Sequence, residues 1–219
     1  MKVLRSIQEV RGYRAGKGDL ALVPTMGAFH DGHVELMRRA RKDFDDVCVS
    51  LFVNPAQFGP NEDFAAYPRD EARDFEVAKQ AGVGAIFAPS VEEMAMDTET
   101  RVVVKGVSEL WEGEARPGHF EGVATVVLKL FNIVGPTAAY FGLKDLQQCS
   151  VIKKMCKDLD VDIDIRLVET VREPSGLAMS SRNAYFDQIQ RAAAAKMFHT
   201  MQSAVTSAKD SGSSLREVE

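Results

Sequence analysis

Cysteine is scarce: Cys48, Cys149 and Cys156 are three residues in 219, an odd number with no CxxC pair. That excludes a disulfide-stapled scaffold and fits reduced thiols in a cytoplasmic protein. Long apolar runs are also lacking. The most hydrophobic stretch, residues 123–134, is interrupted by Lys129 and Asn132 and falls short of the roughly 20 residues that span a bilayer, so no membrane role is expected. The opening MKVLRSIQEVRGYRAGKGD carries charges every few residues, unlike a secretory signal. There is no excess of positive charge either, since 27 Lys+Arg against 32 Asp+Glu leave a net charge of −5, and a nucleic-acid partner is not expected. What is present is ordinary for a globular chain: 45% hydrophobic and 27% charged residues exclude general disorder. The length allows one large domain, or one with a smaller companion.

Short apolar runs alternate with helical periods. Residues 21–25, 47–53, 85–88, 101–104, 138–141 and 161–168 read as strands, mostly continuous runs of the kind buried on both faces. Helices are expected over 34–44, 70–81, 123–133, 146–159 and 191–208. The helix over 146–159 places Cys149 and Cys156 on its apolar side, as core residues. Residues 210–214 break the last helix, and Ser213 or Ser214 reads as the N-cap of another. The alternation predicts an α/β fold, a doubly wound parallel sheet, with 161–168 at an edge because it alternates apolar with charged residues.

Chemistry concentrates after the first of these strands, in Pro24-Thr-Met-Gly-Ala-Phe-His-Asp-Gly-His33. Gly27 and Gly32 allow close backbone approach, and His30 and His33 lie at a helix N-terminus, where free N–H groups favour anions such as phosphate. A metal site or two structural histidines are the alternatives, but no carboxylate or cysteine at helical spacing completes zinc coordination. Lys144 follows another strand, and Met179-Ser-Ser-Arg182 offers two hydroxyls and a guanidinium, either an anion clamp or a helix cap.

HxGH followed by Met-Ser-Ser-Arg resembles the nucleotidyltransferase superfamily that includes class I aminoacyl-tRNA synthetases. Longer strings narrow the resemblance to the pantoate–β-alanine ligase family: 24–33, Phe52-Val-Asn-Pro-Ala-Gln-Phe-Gly59 with Tyr67-Pro-Arg69, Arg116-Pro-Gly-His-Phe-Glu-Gly122 running on to Val127, Phe141-Gly-Leu-Lys-Asp-Leu-Gln-Gln148, and 170–183. The resemblance implies a Rossmann-like fold and condensation of pantoate with β-alanine through a pantoyl adenylate, releasing AMP and pyrophosphate. It makes His30, His33 and Lys144 the catalytic groups. ATP contacts fall on Met26, Gly27, Ala28, Phe29, His30, Asp31, Gly32 and His33, on Gly142, Leu143, Lys144 and Asp145, on Val171, and on Met179, Ser180, Ser181 and Arg182. Gln57 and Gln148 match pantoate ligands, Gln57 also serving β-alanine, and Asn54 is in reach. His119 either orients a substrate or is structural. Magnesium accompanies ATP, with Asp74 matching one metal position, and a homodimer is implied.

Leu143 stands where the family pattern leads one to expect an acidic residue, and the loop around Trp111 varies from the usual one. The resemblance divides the chain into a catalytic domain over 1–171 and, from 172 to 219, the start of a lid domain that stops short of the family's length.

Overall fold

The computed structural model describes residues 1–96 and 99–211. It divides into two compact units, Met1–Glu169 and Thr170–Glu219. The first unit is α/β. Its strands are β1 (Lys2–Leu4), β2 (Leu20–Thr25), β3 (Asp46–Leu51), β4 (Ala85–Phe87), β5 (Ala138–Gly142) and β6 (Asp164–Val168), paired in the order β1-β4-β3-β2-β5-β6. Every pairing is parallel, and β6 lies at the edge that its alternating sequence suggests.

Helices cover both faces of this sheet: α1 (Ile7–Arg14), α2 (Asp31–Asp43), α3 (Glu71–Gln80), α4 (Val91–Met94), α5 (Glu112–Ala115), α6 (His119–Val134) and α7 (Leu146–Asp158). Successive strand side chains point to opposite faces, so one strand serves two cores. Leu20, Leu22, Cys48 and Phe87 pack with α1, α6 and α7 through Val10, Leu130, Ile152 and Met155. Ala21, Val23, Val47 and Val49 pack with α2 and α3 through Leu36, Met37, Ala40 and Ala78. All three cysteines are buried and free. Burial pushes the Cys48 thiol up to about 12 and the Cys149 thiol to about 11, so both are protonated core groups.

Two expectations need correction. Residues 101–104 are not a strand: Val102 N–H donates to the Thr125 hydroxyl (3.0 Å), Val104 is buried and Val103 is exposed. A β-rich run becomes a strand only where a neighbour offers a ladder, and α6 offers a side chain instead. The N-terminal segment, read only for its charges, holds β1 and α1. Ser6 and Glu9 close a capping box at the start of α1.

The second unit contains a turn and the helix α8 (Gln188–Ser211). Arg172 bridges Ala178, and Gly176 between them has φ +86°, in the left-handed region that favours glycine. The Asn183 side chain donates to the Ala178 carbonyl and the Glu173 carboxylate, which also pairs with Arg191 at 2.5 Å. The expected N-cap at Ser213 or Ser214 lies outside the described residues.

Candidate active site

From β2 the chain proceeds to β3 and β4 on one side, whereas β5 and β6 lie on the other. The carboxyl ends of β2 and β5 therefore flank the point where the strand order reverses, the usual ligand crevice of an open α/β sheet. The turn from Met26 to Phe29 follows β2, and a 3-10 turn over Leu143–Asp145 follows β5.

The first of these turns is unusually constrained. Gly27 has φ +85° and Ala28 φ +52°, the latter in a region that residues with a Cβ rarely adopt. Ala28 N–H and Phe29 N–H donate to the two carboxylate oxygens of Asp74, each at 2.7 Å. A Cβ on Gly27 would sit 2.9 Å from Asp74 Oδ2, so glycine is required by space as well as by φ. Burial raises the Asp74 carboxyl above its usual value, and the two amides oppose that rise. Asp74, matched to a metal position by resemblance, commits one lone pair of each oxygen to the turn amides. Among the described residues, no three His, Cys, Asp or Glu side chains converge as a metal site.

His30 is the N-cap of α2, its Nδ1 accepting the Gly32 N–H at 3.1 Å. His33 Nδ1 accepts the His30 N–H at 3.3 Å, and the two rings lie with centroids 4.1 Å apart. An amide N–H only donates, so both Nδ1 atoms carry lone pairs and the remaining proton of each neutral ring is on Nε2. The result is a pair of Nε2–H donors at the N-terminus of a 13-residue helix. Burial, then the Lys144 cation, holds His30 down to about 4. Burial, then His30 and Lys144, holds His33 down to about 3. Lys144 is thus within electrostatic reach of both rings. Its own ammonium pairs with Asp145 at 2.9 Å and remains partly exposed.

These depressed values carry a sign. Below the ordinary histidine value of 6.5 the unfolded chain takes up protons that the folded chain refuses until about 4 and 3, so stability is lost as pH falls through that window. The melting temperature should fall from about pH 7 to about pH 4 less steeply in His30→Gln than in the parent. Equal slopes would assign the acid lability to other groups.

A second cluster lies where the 3-10 turn Pro55–Gln57 packs on α6. Asn54 and Gln57 are buried polar residues. Asn54 Nδ2 donates to Gln57 Oε1 and to the Gly122 carbonyl, each at 3.1 Å, and Gln57 Nε2 lies 3.0 Å from the Met26 sulfur. Gln57 thereby touches the turn that carries the histidines. Gln148 is half-buried in the first turn of α7, and its side chain makes no hydrogen bond to any described residue. That leaves an amide available to a ligand.

His119 resolves into a structural connection. Its Nδ1 is 2.8 Å from the Gln57 carbonyl, which only accepts, so Nδ1 carries the proton and Nε2 accepts from Arg116 Nη1 at 3.1 Å. Burial and the Arg116 cation hold it below its ordinary value despite the Gln57 carbonyl. Arg116 in turn forks onto Glu62 with two 2.7 Å bonds and reaches Glu112 at 2.7 Å. Both nitrogens of His119 are occupied, and it holds the backbone of Gln57. The sequence signals neither this network nor the Asp74 contacts, because partners 45 to 62 residues apart leave no local pattern.

In the second unit, Ser180 caps a 3-10 turn over Ser181–Tyr185, its hydroxyl accepting the Arg182 N–H at 3.3 Å. Met179 N–H donates to the Val171 carbonyl at 2.9 Å. Ser180 therefore serves as a cap, while Ser181 and Arg182 make further interactions of their own.

Comparison with known proteins agrees along the whole chain. The family model described as pantoate-beta-alanine ligase matches residues 2–219. The pantothenate synthetase of Chloroflexus aggregans is 50% identical over 100% of this chain and 80% of its own length. That of Moorella thermoacetica is 53% identical over 92% of this chain and 73% of its own. The crystal structure of pantothenate synthetase from Thermus thermophilus superposes with a TM-score of 0.94 at 44% identity, covering 100% of this chain and 79% of that one. A pantoate-beta-alanine ligase from Francisella tularensis, complexed with beta-gamma ATP and beta-alanine, gives 0.87 at 36%, covering 92% and 79%. The chain belongs to the pantoate–β-alanine ligase family, the enzymes of ATP-dependent pantothenate formation.

Proposed function

We propose that this chain joins pantoate to β-alanine in two steps at the crevice between β2 and β5. A pantoate carboxylate oxygen attacks the α-phosphorus of ATP and pyrophosphate leaves. The β-alanine amine then attacks the acyl carbon of pantoyl adenylate, AMP leaves with the acyl C–O bond pair, and the amine loses a proton. Neither step needs a nucleophile from the protein. Both need donors where negative charge builds, in a site arranged beforehand. The observation that carries this reading is the pair of neutral imidazoles whose Nε2–H groups stand at the N-terminus of α2, within electrostatic reach of Lys144.

In this reading His30 and His33 donate to the phosphates, and Lys144 neutralises the oxygens that gain charge as pyrophosphate departs. Met26 to His33 and Gly142 to Asp145 cradle the nucleotide. The resemblance adds Val171 and Met179 to Arg182, in the second unit, as ATP contacts, and reads 172 onward as the start of a lid. Gln57 and Gln148 hold the pantoate hydroxyls and carboxylate, with Asn54 fixing Gln57, and Gln57 then meets β-alanine. Phe58, Val127 and Leu128 supply apolar walls for the gem-dimethyl group. Magnesium, implied by the same resemblance, would accompany ATP and offset its phosphate charge, with Asp74 at the matching metal position. The same resemblance makes the enzyme a cytoplasmic homodimer, which sedimentation would test.

Incubation with ATP, magnesium, pantoate and β-alanine should yield AMP and pyrophosphate in equal amounts. ADP and phosphate as products would overturn the adenylate route.

A further inference from the structure

We propose that Asp74 is a positioning residue for the nucleotide: its carboxylate holds the Ala28 and Phe29 amides and so keeps the turn after β2 in the form that presents His30 and His33 to phosphate. The proposal rests on the reading of that turn as the ATP site.

Asp74 is 1% exposed, and its two oxygens each accept one N–H of two consecutive residues, both at 2.7 Å. It is fixed from its own side by α3, whose N-cap Asp70 accepts the Arg73 N–H. Ala28 at φ +52° occupies a conformation that a residue with a Cβ keeps only where its surroundings hold it, and charge-assisted bonds from a buried carboxylate are such a restraint. Gly27, at φ +85°, leaves the space that the carboxylate fills. His30, the cap of α2, directly follows Phe29, so the direction of both imidazoles is inherited from this turn. Both oxygens are turned toward amides, so the carboxylate's placement is tied to the turn. The Ala28 and Phe29 amides are likewise occupied, as is the Gly32 amide by His30 Nδ1, which leaves the histidine Nε2–H groups to meet the phosphates.

The test uses the full chain carrying Asp74→Asn, Ala28→Gly and both together. Asparagine offers one acceptor oxygen and one NH2 group, so one of the two amides faces a donor. Titration calorimetry with a non-hydrolysable ATP analogue and magnesium should show D74N binding about tenfold or more weakly. The half-saturating magnesium concentration should stay unchanged. The Ala28 and Phe29 amide proton resonances should move upfield in D74N without any ligand. Glycine adopts the left-handed form unaided, so adding Ala28→Gly to D74N should recover most of the lost affinity, and this arm holds even where D74N alone folds poorly. Unchanged affinity in D74N would overturn the proposal, as would absence of recovery in the double variant. A shifted magnesium requirement with affinity restored at saturating magnesium would overturn it in favour of a metal ligand. Failure of the parent chain to bind the analogue would instead overturn the ATP reading, with the amide resonances still reporting whether the clamp exists.

Discussion

His33→Ala is expected to slow pantoyl-adenylate formation by about 100–1,000-fold, the usual cost of removing one preorganised donor from a site of developing charge. The expectation follows from how the ring is held. Its Nδ1 accepts the His30 amide, so the proton is committed to Nε2, and burial with the neighbouring His30 and Lys144 keeps the ring neutral. A neutral imidazole held this way stabilises charge by hydrogen bonding and needs no reorganisation as charge appears. Two further variants separate the contributions. His33→Asn keeps an acceptor close to the Nδ1 position, and His33→Gln keeps an N–H close to the Nε2 position. Pyrophosphate release in single-turnover experiments should recover further in H33Q than in H33N. Recovery in H33N alone would mean that His33 acts by holding the turn, and near-parental rates in H33A would remove it from the reaction.

Gly122→Ala is expected to cripple the pantoate side of the site while sparing ATP. Gly122 lies in α6 directly under the turn Pro55–Gln57. A Cβ there would overlap the Ala56 carbonyl and come within 2.7 Å of the Gln57 amide nitrogen. Both are backbone, so no side-chain rotation relieves the clash, and the whole turn must lift. Overpacking of this kind costs about 1–3 kcal/mol of stability. The functional cost should be larger, because Gln57 is held by Asn54, which is itself bonded to the Gly122 carbonyl. A displacement of about 1 Å at a substrate-positioning residue costs about 100-fold in rate. Steady-state kinetics should show kcat/KM for pantoate falling by about that factor, with the KM for ATP changed far less. Equal losses for both substrates would point to general unfolding, and no loss would remove this turn from the pantoate site.

Much of this organisation is legible in the residue string because it depends on near neighbours. Alternating apolar runs and helical periods mark β2 to β6 and helices α2, α3, α6 and α7, since strand and helix burial repeat every two or 3.6 residues. HxGH after a strand marks the histidine-bearing start of α2 for the same local reason. The run at 101–104 fails as a strand because strand formation depends on a partner that no local pattern specifies. At the N-terminus the signal is present in Ser6 and Glu9, a capping box three residues apart.

Residue identity and short-range spacing, then, specify the α/β class, the histidine-bearing helix start and the family. Folding supplies the relations among residues far apart in the chain. It brings Asp74 to Ala28 and Phe29, His119 to the Gln57 carbonyl and Lys144 into the field of two imidazoles. The tautomer of His119 follows from its contact with the Gln57 carbonyl, whereas those of His30 and His33 are set locally, by the Gly32 and His30 amides at the start of α2. A hydrogen bond acts over about 3 Å whatever the separation along the chain, so these relations exist only once the sheet has assembled.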